Sequence, residues 1–121
     1  MLKLYDYLEA VLEEGNSRKW FFESRLDFFV NDIMEILNID NVEEINSSLN
    51  RIFQACSTLN IPYNKNFKRV YRFDGEGLIT DWKISPLACY MVIINCNQSY
   101  EYVAKAQLYF AMTKLTNREN Y

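Results

Sequence analysis

The chain has 121 residues, enough for one domain with its own core. Half of it is hydrophobic, with two Trp, nine Tyr and eight Phe but only three Gly and two Pro. That composition excludes a disordered or fibrous polymer and favours long regular elements. The formal net charge is −3 and there is no His, which removes the usual general base near neutral pH and the commonest transition-metal ligand.

In chain order, Leu4, Leu8, Val11 and Leu12 recur at helical spacing, so the pattern predicts a first helix over Leu2 to Glu14, closed by Gly15-Asn16. Lys19 to Glu23 reads as a short aromatic strand. Phe29 to Leu37 reads as a second helix with Ile33, Ile36 and Leu37 inward, capped by Asn31 or a neighbour. Asn41 with Glu44 three residues later resembles a capping box and opens a third helix. Its apolar stripe, Val42, Ile45, Leu49, Ile52, Phe53 and Cys56, runs to Leu59, where Asn60-Ile-Pro62 stops it.

Phe67 to Phe73 and Leu78 to Ile84 are β-rich in type, and Asp74-Gly-Glu-Gly77 between them is a turn signal, so together they predict a β-hairpin. Ser85-Pro86 supplies a cap and a first-turn proline for a fourth helix through Ile94, apolar nearly all round and therefore central. Asn95 to Ser99 is a tight connection. Ser99 can cap a fifth helix from Tyr100 to about Thr116, whose Val103, Ala104, Leu108, Phe110, Ala111 and Leu115 cover more than one face, and a frayed tail follows. The expectation is one α+β domain over 1–121, about five helices around a small antiparallel sheet.

Cys56, Cys89 and Cys96 are odd in number and contain no Cys-x-x-Cys, which suits small buried hydrophobes in a reducing compartment; a disulfide or metal site is the alternative. The opening Met1 to Ala10 carries charges and no apolar run of signal-peptide length, and the longest apolar stretch, Pro86 to Ile94, is too short to span a bilayer. A cytoplasmic protein with no membrane partner is expected.

Catalytic patterns are missing. Gly75 and Gly77 flank one Glu with no Lys-Ser/Thr behind them, no Gly-x-Ser-x-Gly occurs, and a nucleophile–His pair is impossible. The adjacent pairs Glu13-Glu14 and Glu43-Glu44 read as solvated helix faces, Glu44 as a capping partner, although two distant carboxylates can still meet in space. A non-enzymatic role without cofactor or metal is expected.

Charge is unevenly spread. Residues 1–60 carry eleven acids and five bases, whereas Tyr63-Asn-Lys-Asn-Phe-Lys-Arg-Val-Tyr-Arg-Phe73 carries four bases and no acid, interleaved with aromatics. Such interleaving suits phosphate contact with stacking, and equally an amphipathic strand with a solvated face.

The segments Ser85-Pro-Leu-Ala-Cys-Tyr90 and Gln107-Leu-Tyr-Phe110, with weaker support from Trp20-Phe21 and the helix at Phe29–Leu37, resemble the DNA-damage-inducible protein D family. That family is related to the amino-terminal domain of baculovirus BRO proteins and to phage antirepressors. The resemblance covers roughly residues 18–113 and implies a winged-helix-like fold with a role in DNA transactions. The chain departs from the family in its Asn95-Cys-Asn97 turn and in Asp40, Glu43 and Glu44, which would repel phosphates from a recognition helix starting there. The leading expectation is a regulatory domain of the DNA damage response or of a mobile element. Lys65, Lys68, Arg69 and Arg72 would contact phosphates, with Lys83 and Arg51 as additions and Tyr63 or Tyr71 stacking on a base. The alternative is an inhibitor or antirepressor that binds a repressor or recombination protein, or a second copy, through its apolar fifth helix.

Overall fold

In a computed structural model, which describes residues 2–14, 26 and 28–119, the chain is α+β. The elements run α1 (Leu2–Glu14), β1 (Phe28–Phe29), α2 (Val30–Ile36), α3 (Val42–Leu59), α4 (Tyr63–Asn66), β2 (Phe67–Phe73), β3 (Leu78–Ile84), α5 (Pro86–Ile94) and α6 (Glu101–Glu119). The three strands form one antiparallel sheet in the order β1-β3-β2. The aromatic strand expected at Lys19–Glu23 falls outside the described residues.

α5 is the hub. It packs against α1, α2, α3 and α6, and Pro86, Leu87, Ala88, Cys89, Val92 and Ile93 are all buried. Its β-branched residues are mediocre helix formers, each costing about half a kcal/mol against Ala. Burial of each large apolar side chain returns about 1.5–3 kcal/mol, so tertiary packing decides its helicity. The local signals agree: Pro86 occupies the first turn and Ser85 Oγ accepts from Ala88 N at 3.1 Å. Ser85 Oγ also donates to Asn66 Oδ1 at 2.7 Å, while Asn66 Nδ2 donates to Pro62 O, so two buried polar residues tie α4 to the start of α5. At the other end Gln107 Nε2 donates to the carbonyls of Ile93, Ile94 and Cys96, and Arg51 donates to that of Asn95. These side chains satisfy carbonyls that a helix end leaves without intrahelical partners.

The three cysteines are buried and unpaired with one another. Burial pushes the Cys89 thiol up to about 12 and Cys96 up to about 11. Both behave as apolar volume.

Several local expectations are corrected. α2 starts at Val30, and the group that caps it is not Asn31 but Asp81 of β3, whose Oδ1 accepts from Asn31 N at 3.1 Å. Phe29 precedes the helix with no side-chain acceptor, so the cap arrives from across the sheet. Asn41 Oδ1 accepts from Glu43 N as expected of a cap, but Glu44 does not close a capping box. Its Oε1 accepts instead from Asn97 N, in the α5–α6 connection. Asn60, at φ 57°, ends α3 in the left-handed region, a conformation that Asn tolerates. Tyr63 to Asn66 form a helical turn rather than the beginning of the strand. Tyr100 rather than Ser99 precedes α6, its carbonyl accepting from Ala104 N. α6 continues to Glu119 past the tail expected from Thr116, because nothing in that polar stretch is a Pro or Gly. Among the described residues no helix is long and apolar enough to cross a membrane.

Candidate nucleic-acid interface

The hairpin is a two-faced ribbon. Cross-strand partners in an antiparallel pair share a face, so the register assigns each side chain. One face carries Phe67/Ile84, Arg69/Trp82, Tyr71/Thr80 and Phe73/Leu78. The other carries Lys68/Lys83, Val70/Asp81 and Arg72/Ile79. The basic island of the sequence is therefore divided between two sides of one ribbon.

The face with Arg69 turns toward α3. Phe53 of α3 meets Tyr63, Phe67 and Trp82 at ring separations of 4.9, 5.0 and 5.6 Å. Tyr63 stacks on Phe67 at 5.5 Å. Burial in this cluster raises the Tyr63 pKa, with Arg69 acting in the opposite sense. Arg69 lies over Trp82 at 5.0 Å and donates to Thr80 Oγ1 at 3.1 Å, which holds its charge at the rim of the cluster. A cleft of about 290 Å³ opens beside it, lined among others by Met34, Val42, Asn46, Arg69, Thr80 and Trp82. Farther out Tyr71, Phe73 and Leu78 are 71%, 74% and 71% exposed and form an apolar tip. The turn beyond them is built by Asp74, whose Oδ1 accepts from Glu76 N and Gly77 N. Those two donors lower its pKa. Gly75 occupies φ 96°, where a side chain would be strained.

The opposite face is organised by Asp81, which is 2% exposed. Its Oδ2 accepts from Arg72 Nη1 at 2.9 Å, and its Oδ1 takes Asn31 N and its neighbour Trp82 N. Arg72 also reaches Asp32 at 3.5 Å and lies 3.9 Å over the Phe29 ring. The hydrogen bond from Arg72 to Asp81 is the first cause of the raised Arg72 pKa.

The eight residues singled out in the sequence thus separate. Arg72 is held by a buried carboxylate, and Arg51 is held at the end of α5. Lys83 is half-buried with its ammonium 5.8 Å over Phe29. Tyr63 sits on α4 and belongs to the aromatic cluster. Lys65, Lys68, Arg69 and Tyr71 are exposed, Lys65 on α4 and the other three on β2. Among the described residues no three Cys, Asp or Glu side chains gather as a metal site.

Sequence reasoning missed two features. Asp81 looked like one more strand residue, yet it caps a helix and neutralises an arginine. The other is the outer face of α3, where Asn46, Ser47, Asn50, Gln54 and Ser57 are exposed. A signal for it was available, because the last acid before the hairpin turn is Glu44. From Ile45 to Phe73 there are five bases and no acid, while the remainder of the chain holds eight bases and all sixteen acids. This run forms α3 from Ile45 onward, α4 and β2, a stretch free of acids whose bases on β2 are divided between the two faces of the hairpin.

No protein-family model matches this chain, and neither a curated protein nor a solved structure matches it significantly.

Proposed function

We propose that this chain is a non-enzymatic regulatory domain that contacts DNA through the side formed by α3, α4 and β2. The observation that carries the reading is the acid-free run Ile45–Phe73, with Lys65 exposed on α4, Arg69 exposed on the hairpin face toward α3 and Lys68 exposed on its other face. In a molecule of net charge −3, a local basic side is what draws a polyanion while the rest of the surface repels it. The element order adds support. A helix, a strand, two helices joined by a short turn through left-handed Asn38, and, after the single turn α4, a hairpin that closes on the first strand is similar to the order of a winged helix–turn–helix. The resemblance of Ser85–Tyr90 and Gln107–Phe110 to the DNA-damage-inducible protein D family and to BRO amino-terminal domains points to the same class of role.

Arg72 and Arg51 are left out of the contact set, because Arg72 is paired with the buried Asp81 and Arg51 donates to the Asn95 carbonyl at the end of α5. Three or four phosphate contacts remain. The expected salt dependence is about a hundredfold loss of affinity between about 50 and 200 mM salt. Fluorescence anisotropy with duplex and single-stranded DNA measures it. Lys65→Ala with Lys68→Ala should weaken binding and flatten the salt slope while leaving the far-ultraviolet dichroism unchanged. Salt-independent binding, or binding indifferent to this pair, overturns the proposal.

A second reading has its own observation. On α6 Leu108 and Met112, one turn apart, are 61% and 58% exposed, and Ile94 at the end of α5 is also exposed. A protein-binding inhibitor or a homodimer would use this face. Sedimentation of the wild type against Leu108→Glu tests it; a strict monomer for both, with no partner retained, counts against it.

A further inference from the structure

We infer that the cleft between α2, α3 and the hairpin binds a small organic carboxylate with an apolar body, and that this ligand competes with DNA for Arg69. The site stands on the cleft alone. Only the competition rests on the DNA-binding reading above.

The cleft has a volume of about 290 Å³. That suits a ligand of roughly ten non-hydrogen atoms rather than a peptide or a nucleotide. Val42, Ile45 and Leu49 line it from α3, Met34 from α2 and Trp82 from β3. Val42 is 58% exposed, which places an apolar side chain in water at the rim. Met34 is a side chain that adapts readily to a guest of irregular shape.

Against these walls stand the polar groups of Asn46, Arg69 and Thr80. Arg69 Nη2 donates to Thr80 Oγ1 at 3.1 Å, and the guanidinium lies 5.0 Å from the centre of the Trp82 ring. A guanidinium carries several N–H donors, and this contact uses one of them. Among the described residues Arg69 has no carboxylate partner, unlike Arg72 on the other face. Thr80 accepts from Arg69 and keeps its own hydroxyl hydrogen to donate, and Asn46 adds an amide. Asp81 also borders the cleft, but its carboxylate is engaged by Arg72, Asn31 N and Trp82 N. That acid and Arg72 offset each other, so the charge left at the cleft is the one on Arg69.

The chemistry selects the ligand. A planar fork of N–H donors matches a carboxylate through two parallel hydrogen bonds. One cation balances one negative charge, whereas a phosphate dianion needs a second base, and Lys65 and Lys68 do not line the cleft. The apolar walls hold the body of the ligand by removing its hydrocarbon surface from water. A ligand of this size should bind with a dissociation constant of about 0.1–1 mM. Arg69 is also one of the exposed bases assigned to phosphate. A carboxylate seated on it removes that contact, and linkage requires DNA to weaken the carboxylate in return.

The test is an NMR titration of the full chain with phenylacetate, its neutral amide phenylacetamide, and acetate. Phenylacetate should shift the Trp82 indole and Met34 methyl signals, with the amide and acetate each binding about tenfold more weakly. Arg69→Gln should reduce the acid to the affinity of the amide. Val42→Phe, at the exposed rim, should narrow the cleft and weaken acid and amide alike. Phenylacetate binding no better than its amide or than acetate, or signals that move elsewhere, overturns the site. So does absence of binding by phenylacetate, indole-3-acetate and hexanoate alike. Anisotropy then reads the competition. Saturating phenylacetate should weaken duplex binding about tenfold against equimolar acetate in the wild type, and leave Arg69→Gln unchanged. If DNA binds and does not respond to bound phenylacetate, the competition falls while the site and the DNA-binding reading stand. If phenylacetate binds as described and no DNA binds, that reading and the competition fall and the site stands.

Discussion

The two long sides of this domain are composed in opposite ways. The α5–α6 side is written by the core: six of the nine residues of α5 are buried, and Val103, Ala106 and Phe110 of α6 close over them. The α3–β2 side is written by its surface, with neutral amides on the helix, bases on the hairpin and no acid between Ile45 and Phe73. On the first side most residues are accounted for by packing or by a helix end, with Ile94, Leu108 and Met112 the exposed apolar exceptions. On the second, the residues that packing does not explain are concentrated. Stability and the capacity for recognition are thus assigned to different parts of the chain, and substitutions should separate them.

The largest expected effect is on the packed side. Phe110→Ala removes a side chain that is 1% exposed and should cost about 3–5 kcal/mol, read as a large drop in the midpoint of thermal or urea unfolding. A loss under about 1 kcal/mol would mean that α6 is not part of the cooperative core.

Asp81→Asn comes next. It strips the charge that holds Arg72 and weakens the acceptor for the first turn of α2. Because Arg72 is itself about one-third exposed, the cost should be about 2–3 kcal/mol, below that of breaking a fully buried pair. Adding Arg72→Ala should cost less than the two single changes summed, since they share one interaction.

A smaller effect of opposite sign is expected on the recognition side. Asn46→Ala and Asn50→Ala should each raise stability by roughly 0.5 kcal/mol, measured by denaturant midpoint. Loss of stability would show that the amides are structural, and the contrast between the two sides would dissolve. Glu43→Gln, at the head of the same face, should tighten duplex binding modestly by removing a repulsive charge.

The smallest effect is local to the turn. The carboxyl of Asp74 is held below its ordinary value of 3.8 by the Glu76 and Gly77 amides. Its contribution is present above that ordinary value and is lost as pH falls through the lower folded value. In acid, amide exchange at Gly77 should quicken before any global unfolding appears. Unchanged protection there down to the global acid transition would show that the carboxylate does not hold the turn.

Much of the architecture was legible. α1, both hairpin strands and α5 lie where periodicity and the signals Asp74-Gly-Glu-Gly77 and Ser85-Pro86 place them. The errors share a cause. Asn31, Glu44 and Ser99 each suggest a partner nearby in sequence, whereas the structure satisfies these ends from afar or by other groups: α2 through Asp81, fifty residues on, and the α5–α6 connection through Glu44, fifty-three residues back. A sequence shows that a helix end needs an acceptor without showing which distant side chain arrives. The candidate site was half legible for a related reason. The bases of 63–73 stand out in composition, but strand alternation assigns them to two faces, and only the cross-strand register shows that Arg72 meets a buried aspartate while Arg69 meets Trp82.

By itself the sequence determined the α+β class, the extent of its strongest helices and the basic run, because these follow from short-range periodicity, turn chemistry and charge. The tertiary structure alone decided which of those charges are consumed internally and which helix face has nothing to pack against. Those outcomes depend on contacts between residues tens of positions apart, where low dielectric and burial make one pairing far better than its neighbours.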